Sequence, residues 1–259
     1  MRIAALLEYD GSNFSGWQRQ ERARSVQQCV EEALSKVADE PITVTVAGRT
    51  DAGVHALAQA IHFDTTAARN GYSWVRGAVS NLPDDVALLW ADEVDAGFHA
   101  RFSATGRRYH YIILNRPIRP TYLRGRVSWE YRLLDVEAMQ QGAKHLLGEN
   151  DFTSFRAAEC QAKSPVRELR ALEVTRHGEF VHIRAYANAF LQHMVRNIAG
   201  VLLDIGAGER KPGWAKEVLE ARDRTQGGVT ALPDGLYLTD IEYPEQFKIP
   251  RLSRDIGLW

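Results

Sequence analysis

The chain of 259 residues has little cysteine, little lysine and no long apolar run. Cys29 and Cys160 are its only cysteines. Two cysteines make neither the disulfide framework of a small secreted domain nor the paired spacing of a zinc site. The best apolar candidate, NIAGVLLDIGAG (197–208), is broken by Asp204 and falls short of the ~18 residues a membrane span needs. The opening segment MRIAALLEYDG reaches Glu8 and Asp10 too soon for a signal peptide. These absences predict a cytoplasmic protein.

Chemical motifs are missing too. There is no G-x-x-x-x-G-K-[ST] phosphate loop and no G-x-G-x-x-G after a strand. There is no G-x-S-x-G elbow and no H-E-x-x-H pair. The eight histidines are scattered without metal-ligand spacing. The expectation is therefore chemistry without a metal or cofactor, or no chemistry at all.

What is present is arginine. Only six of the 32 basic residues are lysine, although the net charge is −1. Arginines cluster in RQERAR (19–24), RFSATGRR (101–108) and RPIRPTYLRGR (116–126). A guanidinium donates two parallel hydrogen bonds to phosphate, so clusters interleaved with aromatics suit a nucleic acid. Arginine-rich codon usage and ordinary solvated faces account for part of the total.

Hydrophobic spacing predicts strands at 2–10, 42–47, 56–64 and 86–94 and helices at 25–40 and 72–82, with Ser25 as N-cap. That order is β-α-β-β-α-β, the ferredoxin-like pattern. A similar set follows. Strands are expected at 107–115 and 127–131, a helix at 135–147, and a hairpin about Gly178. A long helix (190–206), a short one (212–221) and a strand (235–243) complete it. The fold class is thus α+β. Two ferredoxin-like (RRM-like) halves, 1–104 and 105–259, are expected to join mainly antiparallel sheets side by side, with an active-site cleft between them.

One hinge stands out. In VAGRTDAGVHALAQAIHF (46–63), Gly48 and Gly53 bracket Arg49, Thr50 and Asp51. A lone aspartate in a turn most often caps a backbone N–H. Here the neighbouring arginine favours an ionised carboxylate, and the glycines admit a large substrate close to the backbone. An ionised, positioned aspartate can act as nucleophile or base without a cofactor.

Seven segments in order resemble the tRNA pseudouridine synthase A family over nearly the whole chain. They are YDGSNFSGWQRQ (9–20), SVQQCVEEAL (25–34), AGRTDAGVHA (47–56) and FHARFSATGRRYHYII (98–113), then DFTSFRAAECQAKS (151–164), FLQHMVRNIAGVL (190–202) and ALPDGLYL (231–238). The resemblance implies isomerisation of uridine to pseudouridine at positions 38, 39 and 40 in the anticodon arm of tRNA. It implies no cofactor, and a homodimer in which one tRNA touches both subunits. It places the catalytic aspartate at Asp51. Tyr109 is then the tyrosine that packs against the target base, Arg196 the partner of Asp51, and Arg49 a helper in expelling the base. Asp51 would attack the ribose or the base, or remove a ribose proton. His55 is read as structural. Arg19, Arg22, Arg24, Arg107 and Arg108 are expected to line the RNA path.

Asn150, Gln192 and Leu232 depart from the family pattern at positions where histidine, tyrosine and proline are usual. They bear on packing and substrate range. Two rivals remain at this point. One is a non-catalytic RNA-binding module of the same fold. The other is a glycoside hydrolase, which would need a second carboxylate opposite Asp51.

Overall fold

A computed structural model describes residues 1–252. Among these residues are five α-helices and ten β-strands. They fall into two compact units. Among the described residues the first is Met1–Thr105 together with 237–252, and the second is Gly106–Leu236.

The first unit contains β1 (Arg2–Tyr9), α1 (Val26–Ala38), β2 (Thr45–Val46), β3 (His55–Asp64), α2 (Gly71–Val79) and β4 (Val86–Val94). The second contains β5 (Gly106–Asn115), β6 (Ser128–Glu130), α3 (Val136–Lys144), β7 (Gly148–Asp151), β8 (Val166–His177), β9 (Phe180–Ala187), α4 (Met194–Gly206) and α5 (Trp214–Ala221). The last strand, β10 (Leu236–Glu242), returns the chain to the first unit.

In the first unit the strand order is β4-β1-β3-β10. β1 lies antiparallel to both β3 and β4, while β10 runs parallel to β3. Helix α1 starts as its sequence dictates, with the Ser25 side chain accepting from the Gln28 N–H. Its apolar face supplies Val30, Ala33 and Leu34 to the core. On β3, Phe63 meets Trp74 of α2 edge-on at 5.2 Å. Successive strand residues point to opposite faces. The adjacent His62 accordingly meets Phe98 instead, at 6.0 Å. Phe98 in turn packs on Tyr243 and Phe247. Both faces of β3 are covered, which is why its burial is nearly continuous rather than alternating.

The strand expected over 42–47 shortens to β2. Two backbone donors that a strand partner would take go elsewhere: Ile42 N–H donates to Ser35 Oγ (2.9 Å) and Val44 N–H to Glu31 Oε1 (3.2 Å).

In the second unit the order is β5-β9-β8-β7, antiparallel throughout, with β6 added parallel to β5. Helices α3 and α4 approach closely at glycines. A Cβ on Gly206 would lie 2.7 Å from Met139 Cγ, and one on Gly142 would lie 2.8 Å from Ile205 Cδ1. Helix α4 begins at Met194 rather than 190, because His193 adopts a left-handed backbone (φ +62°) that helical geometry does not admit. No helix among the described residues is long and apolar enough to cross a membrane.

His62 Nδ1 accepts from the Ala100 N–H at 3.1 Å, and burial holds its pKa down at about 4, with Arg2 adding to the effect. Histidine in the unfolded chain titrates near ~6.5. Below that pH the unfolded state binds a proton that the folded state refuses. The stabilisation is therefore complete above ~6.5 and declines as the pH falls toward 4. Urea titrations between pH 7 and 4.5 are expected to show stability falling on acidification, with a shallower fall for His62→Asn.

Candidate active site

The chain between β2 and β3 carries Arg49, Thr50 and Asp51, and it is built from the backbone outward. Gln59 of β3, wholly buried, donates from Nε2 to the Gly48 carbonyl at 2.7 Å. The same nitrogen reaches Tyr9 Oη at 3.3 Å, and Tyr9 Oη bonds Thr50 Oγ1 at 2.8 Å. The Thr50 carbonyl accepts from Trp17 N–H (3.0 Å), and the Asp51 carbonyl accepts from Val54 N–H (3.2 Å). Gly53 takes φ +78°, which a side chain would disfavour, and donates its N–H to the Phe14 carbonyl.

A second segment, residues 10–25, lies directly against this loop. Gly16 has φ +90°, and a Cβ there would sit 2.8 Å from the Thr50 oxygen. A Cβ on Gly11 would sit 2.1 Å from the Val54 oxygen. Both positions therefore need glycine for close backbone approach. The result is that Asp51 is half-buried on a fixed backbone while Arg49 is exposed. Gly48 has nothing within 4 Å of the place a Cβ would occupy, so the loop is open on that side.

His55 opens β3 beneath the loop and is buried. Its Nδ1 lies 3.1 Å from the Gly11 nitrogen and 3.2 Å from Asp10 Oδ1. Unprotonated, it accepts from Gly11; protonated, it donates to Asp10. Its ring stacks on Tyr237 of β10 at 4.5 Å. The hydrogen bond from His55 is the largest of several that hold the Asp10 carboxyl well below the usual carboxylate range.

Besides Arg49, three of the sequence-derived arginines lie in the first unit, and their surroundings differ. Arg24 makes a two-pronged pair with Asp85 (2.7 and 2.8 Å) and stacks 4.1 Å from the Phe14 ring centre. Arg19 reaches Glu31 at 3.2 Å. Arg22 is exposed.

The second unit holds the others. Tyr109, on β5, is half-buried and meets Phe190 edge-on at 5.1 Å. Arg108 lies 3.7 Å over the Tyr186 ring, and Arg107 Nη1 donates to the Asn188 carbonyl at 2.7 Å. Arg196, in the first turn of α4, donates from Nε to the Ala231 carbonyl at 2.8 Å. The Ala231 N–H returns a bond to the Arg196 carbonyl at 3.1 Å. The chain around Leu232 is pinned as well: the Leu232 carbonyl accepts from buried Tyr111 Oη at 2.8 Å.

Motif alone gives no role to Gln59, nor to Tyr9, although Tyr9 opens the YDGSNFSGWQRQ segment. The signal that exposes Gln59 is a lone amide inside the apolar run ALAQAIHF, at a position every neighbour marks as buried. Tyr9 reads as one more strand aromatic until its hydroxyl is seen to face Thr50.

The first unit thus presents a half-buried carboxylate on a doubly anchored, glycine-flanked loop, and similarity to known proteins gives the class. The family model described as tRNA pseudouridine synthase matches residues 5–103 and 143–244, and the chain belongs to that family. More particularly, it is similar to proteins named tRNA pseudouridine synthase A. It is 59% identical to the one from Nitrosococcus oceani over 259 residues, the whole of both chains. It is 57% identical to that of Coxiella burnetii over 97% of this chain and 96% of the relative. It is 54% identical to that of Vibrio campbellii over the same shares.

Gly16→Ala is expected to lower stability by roughly 1–3 kcal/mol, from the positive φ and the close Thr50 carbonyl together. Urea unfolding measures this. Activity at a temperature where the variant stays folded should also fall, because the displaced backbone is that of residues 50–52.

Proposed function

We propose that this protein isomerises uridine to pseudouridine in tRNA, at positions 38, 39 and 40 of the anticodon arm, without a cofactor. The reaction exchanges the N1–C1′ glycosidic bond for a C5–C1′ bond. N1 gains a hydrogen and C5 releases one, so substrate and product are isomers and no oxidant is needed. The reading rests on one observation above the rest: Asp51 is the carboxylate of the anchored loop in a member of the tRNA pseudouridine synthase family.

In this reading Asp51 acts as nucleophile at C1′ or at C6 of the base, or as base toward a ribose proton. Arg196 pairs with it. Tyr109 packs against the uracil, which must leave its stack at a cost of roughly a few kcal/mol. Arg49, exposed on the same loop, helps expel it. Arg19, Arg22, Arg24, Arg107 and Arg108 line the path of the RNA backbone. The active form is a homodimer in the cytoplasm, with one tRNA touching both subunits.

Unmodified tRNA tritiated at uridine C5 tests the chemistry. The wild type should release tritium, and Asp51→Asn should release it at least about a hundredfold more slowly while still binding tRNA. Release by the variant at the wild-type rate removes Asp51 from the mechanism. Binding without release by either protein leaves an RNA-binding module of the same fold.

The arginines call for a different measurement. If Arg22 meets a phosphate, Arg22→Ala should lower the slope of log affinity against log salt by about 0.7–0.9. An unchanged affinity and slope would take it out of the RNA path. Arg24→Ala is expected to cost stability as well as affinity, since it breaks the pair with Asp85.

A further inference from the structure

We propose that Tyr9 and Gln59 are positioning residues for the proposed reaction, acting through Thr50 to hold the backbone that carries Asp51. This rests on the functional reading above, and it assigns work to two buried polar side chains that contact neither reacting group.

The direction of the hydrogen bonds follows from counting protons. The Gln59 amide has two N–H groups on Nε2, and its two close acceptors are the Gly48 carbonyl and Tyr9 Oη. The reverse orientation of the amide would set Oε1 against the Gly48 carbonyl oxygen, so the network fixes which way the amide points. Tyr9 Oη therefore accepts from Gln59, and its single proton is left for Thr50 Oγ1 at 2.8 Å. Burial pushes the Tyr9 pKa up to about 12, so the phenol keeps that proton through the working range. The relay runs one way, Gln59 to Tyr9 to Thr50, with a branch from Gln59 to Gly48.

Its two ends grip the loop on either side of Arg49, at Gly48 and at Thr50. All three side chains are buried, so no water competes for these bonds. The strands are shaped to allow it. Leu7 pairs with Gln59, but Tyr9 pairs with Ala56, so β3 carries an extra residue between those two points. Such a bulge re-aims side chains and recurs beside active sites. Here it brings Tyr9, at the end of β1, within reach of the loop.

Three substitutions in the full chain test the relay. Tyr9→Phe and Thr50→Val each remove one hydroxyl at nearly constant volume, and Thr50→Ser restores one. If the relay positions Asp51, Tyr9→Phe and Thr50→Val lower the single-turnover rate of tritium release by about tenfold to a hundredfold. The dissociation constant for tRNA then stays within about twofold. Thr50→Ser recovers most of the rate, and the double variant Tyr9→Phe/Thr50→Val is no slower than the worse single one, because both break the same bond. A rate within twofold of wild type in folded Tyr9→Phe overturns the proposal. So does a loss confined to tRNA affinity, or a double variant whose losses multiply.

Amide hydrogen exchange over residues 48–54 gives a readout independent of activity. Exchange should quicken in Tyr9→Phe and Gln59→Leu, and unchanged exchange overturns the relay even if the rate falls. A wild type that releases no tritium would instead defeat the functional reading, leaving exchange to decide the relay alone.

Discussion

The first unit depends on two backbones lying in direct contact. Residues 10–17 and 48–54 approach so closely that neither Gly11 nor Gly16 has room for a methyl group. That contact has no side chain to adjust it, so its geometry is stiff, and it is sealed at both ends by backbone hydrogen bonds from Trp17 and Gly53. In the proposed reaction the Asp51 carboxylate would gain from such a mounting, since small displacements from near-attack geometry are costly in rate. The sheet contributes the rest of the mounting through Tyr9 at the end of β1 and Gln59 in the middle of β3. Site and core are therefore not separable here: the side chains beneath the loop are also residues of the central strands.

Arginine has two kinds of surroundings in the same molecule. Arg24 is clamped to Asp85 and laid on Phe14, so its charge is largely satisfied and its stem packs. Arg132 likewise spans Glu130 and Glu209. These guanidinium groups hold loops. Arg22 and Arg49 are exposed, and they are better placed to meet a phosphate without first breaking an ion pair. A net charge of −1 thus says little about RNA binding, because many of the charges cancel within the fold.

Most elements were legible from spacing because both helix faces and strand alternation are regular. α1, β4 and the β8–β9 hairpin about Gly178 fall within a residue or two of where periodicity places them. Two of the misjudged boundaries have causes that lie outside the hydrophobic pattern. The strand before the Asp51 loop shortens because Ser35 and Glu31 of α1 take its N–H groups, and α4 starts late because His193 is left-handed. Both are long-range or backbone decisions that hydrophobic pattern does not encode. At the site, the loop itself was visible because Arg-Thr-Asp between glycines is odd for a hairpin turn. Its supports were not, because Tyr9 looks like a strand aromatic and a glutamine in a strand carries no address. Only the register slip between β1 and β3 brings the two together.

That slip also explains why Thr50, rather than a residue of another kind, sits beside Asp51. An alanine there would leave the Tyr9 proton buried without an acceptor, and a charged residue would be trapped against the sheet. A serine keeps the hydroxyl but lacks the methyl group that holds χ1 in place. Threonine supplies an acceptor, a stiff rotamer and a backbone carbonyl for Trp17 in one residue. The position is thus constrained from three sides before any substrate arrives. The carboxylate next to it inherits that constraint through a single peptide unit, which is rigid by its own chemistry.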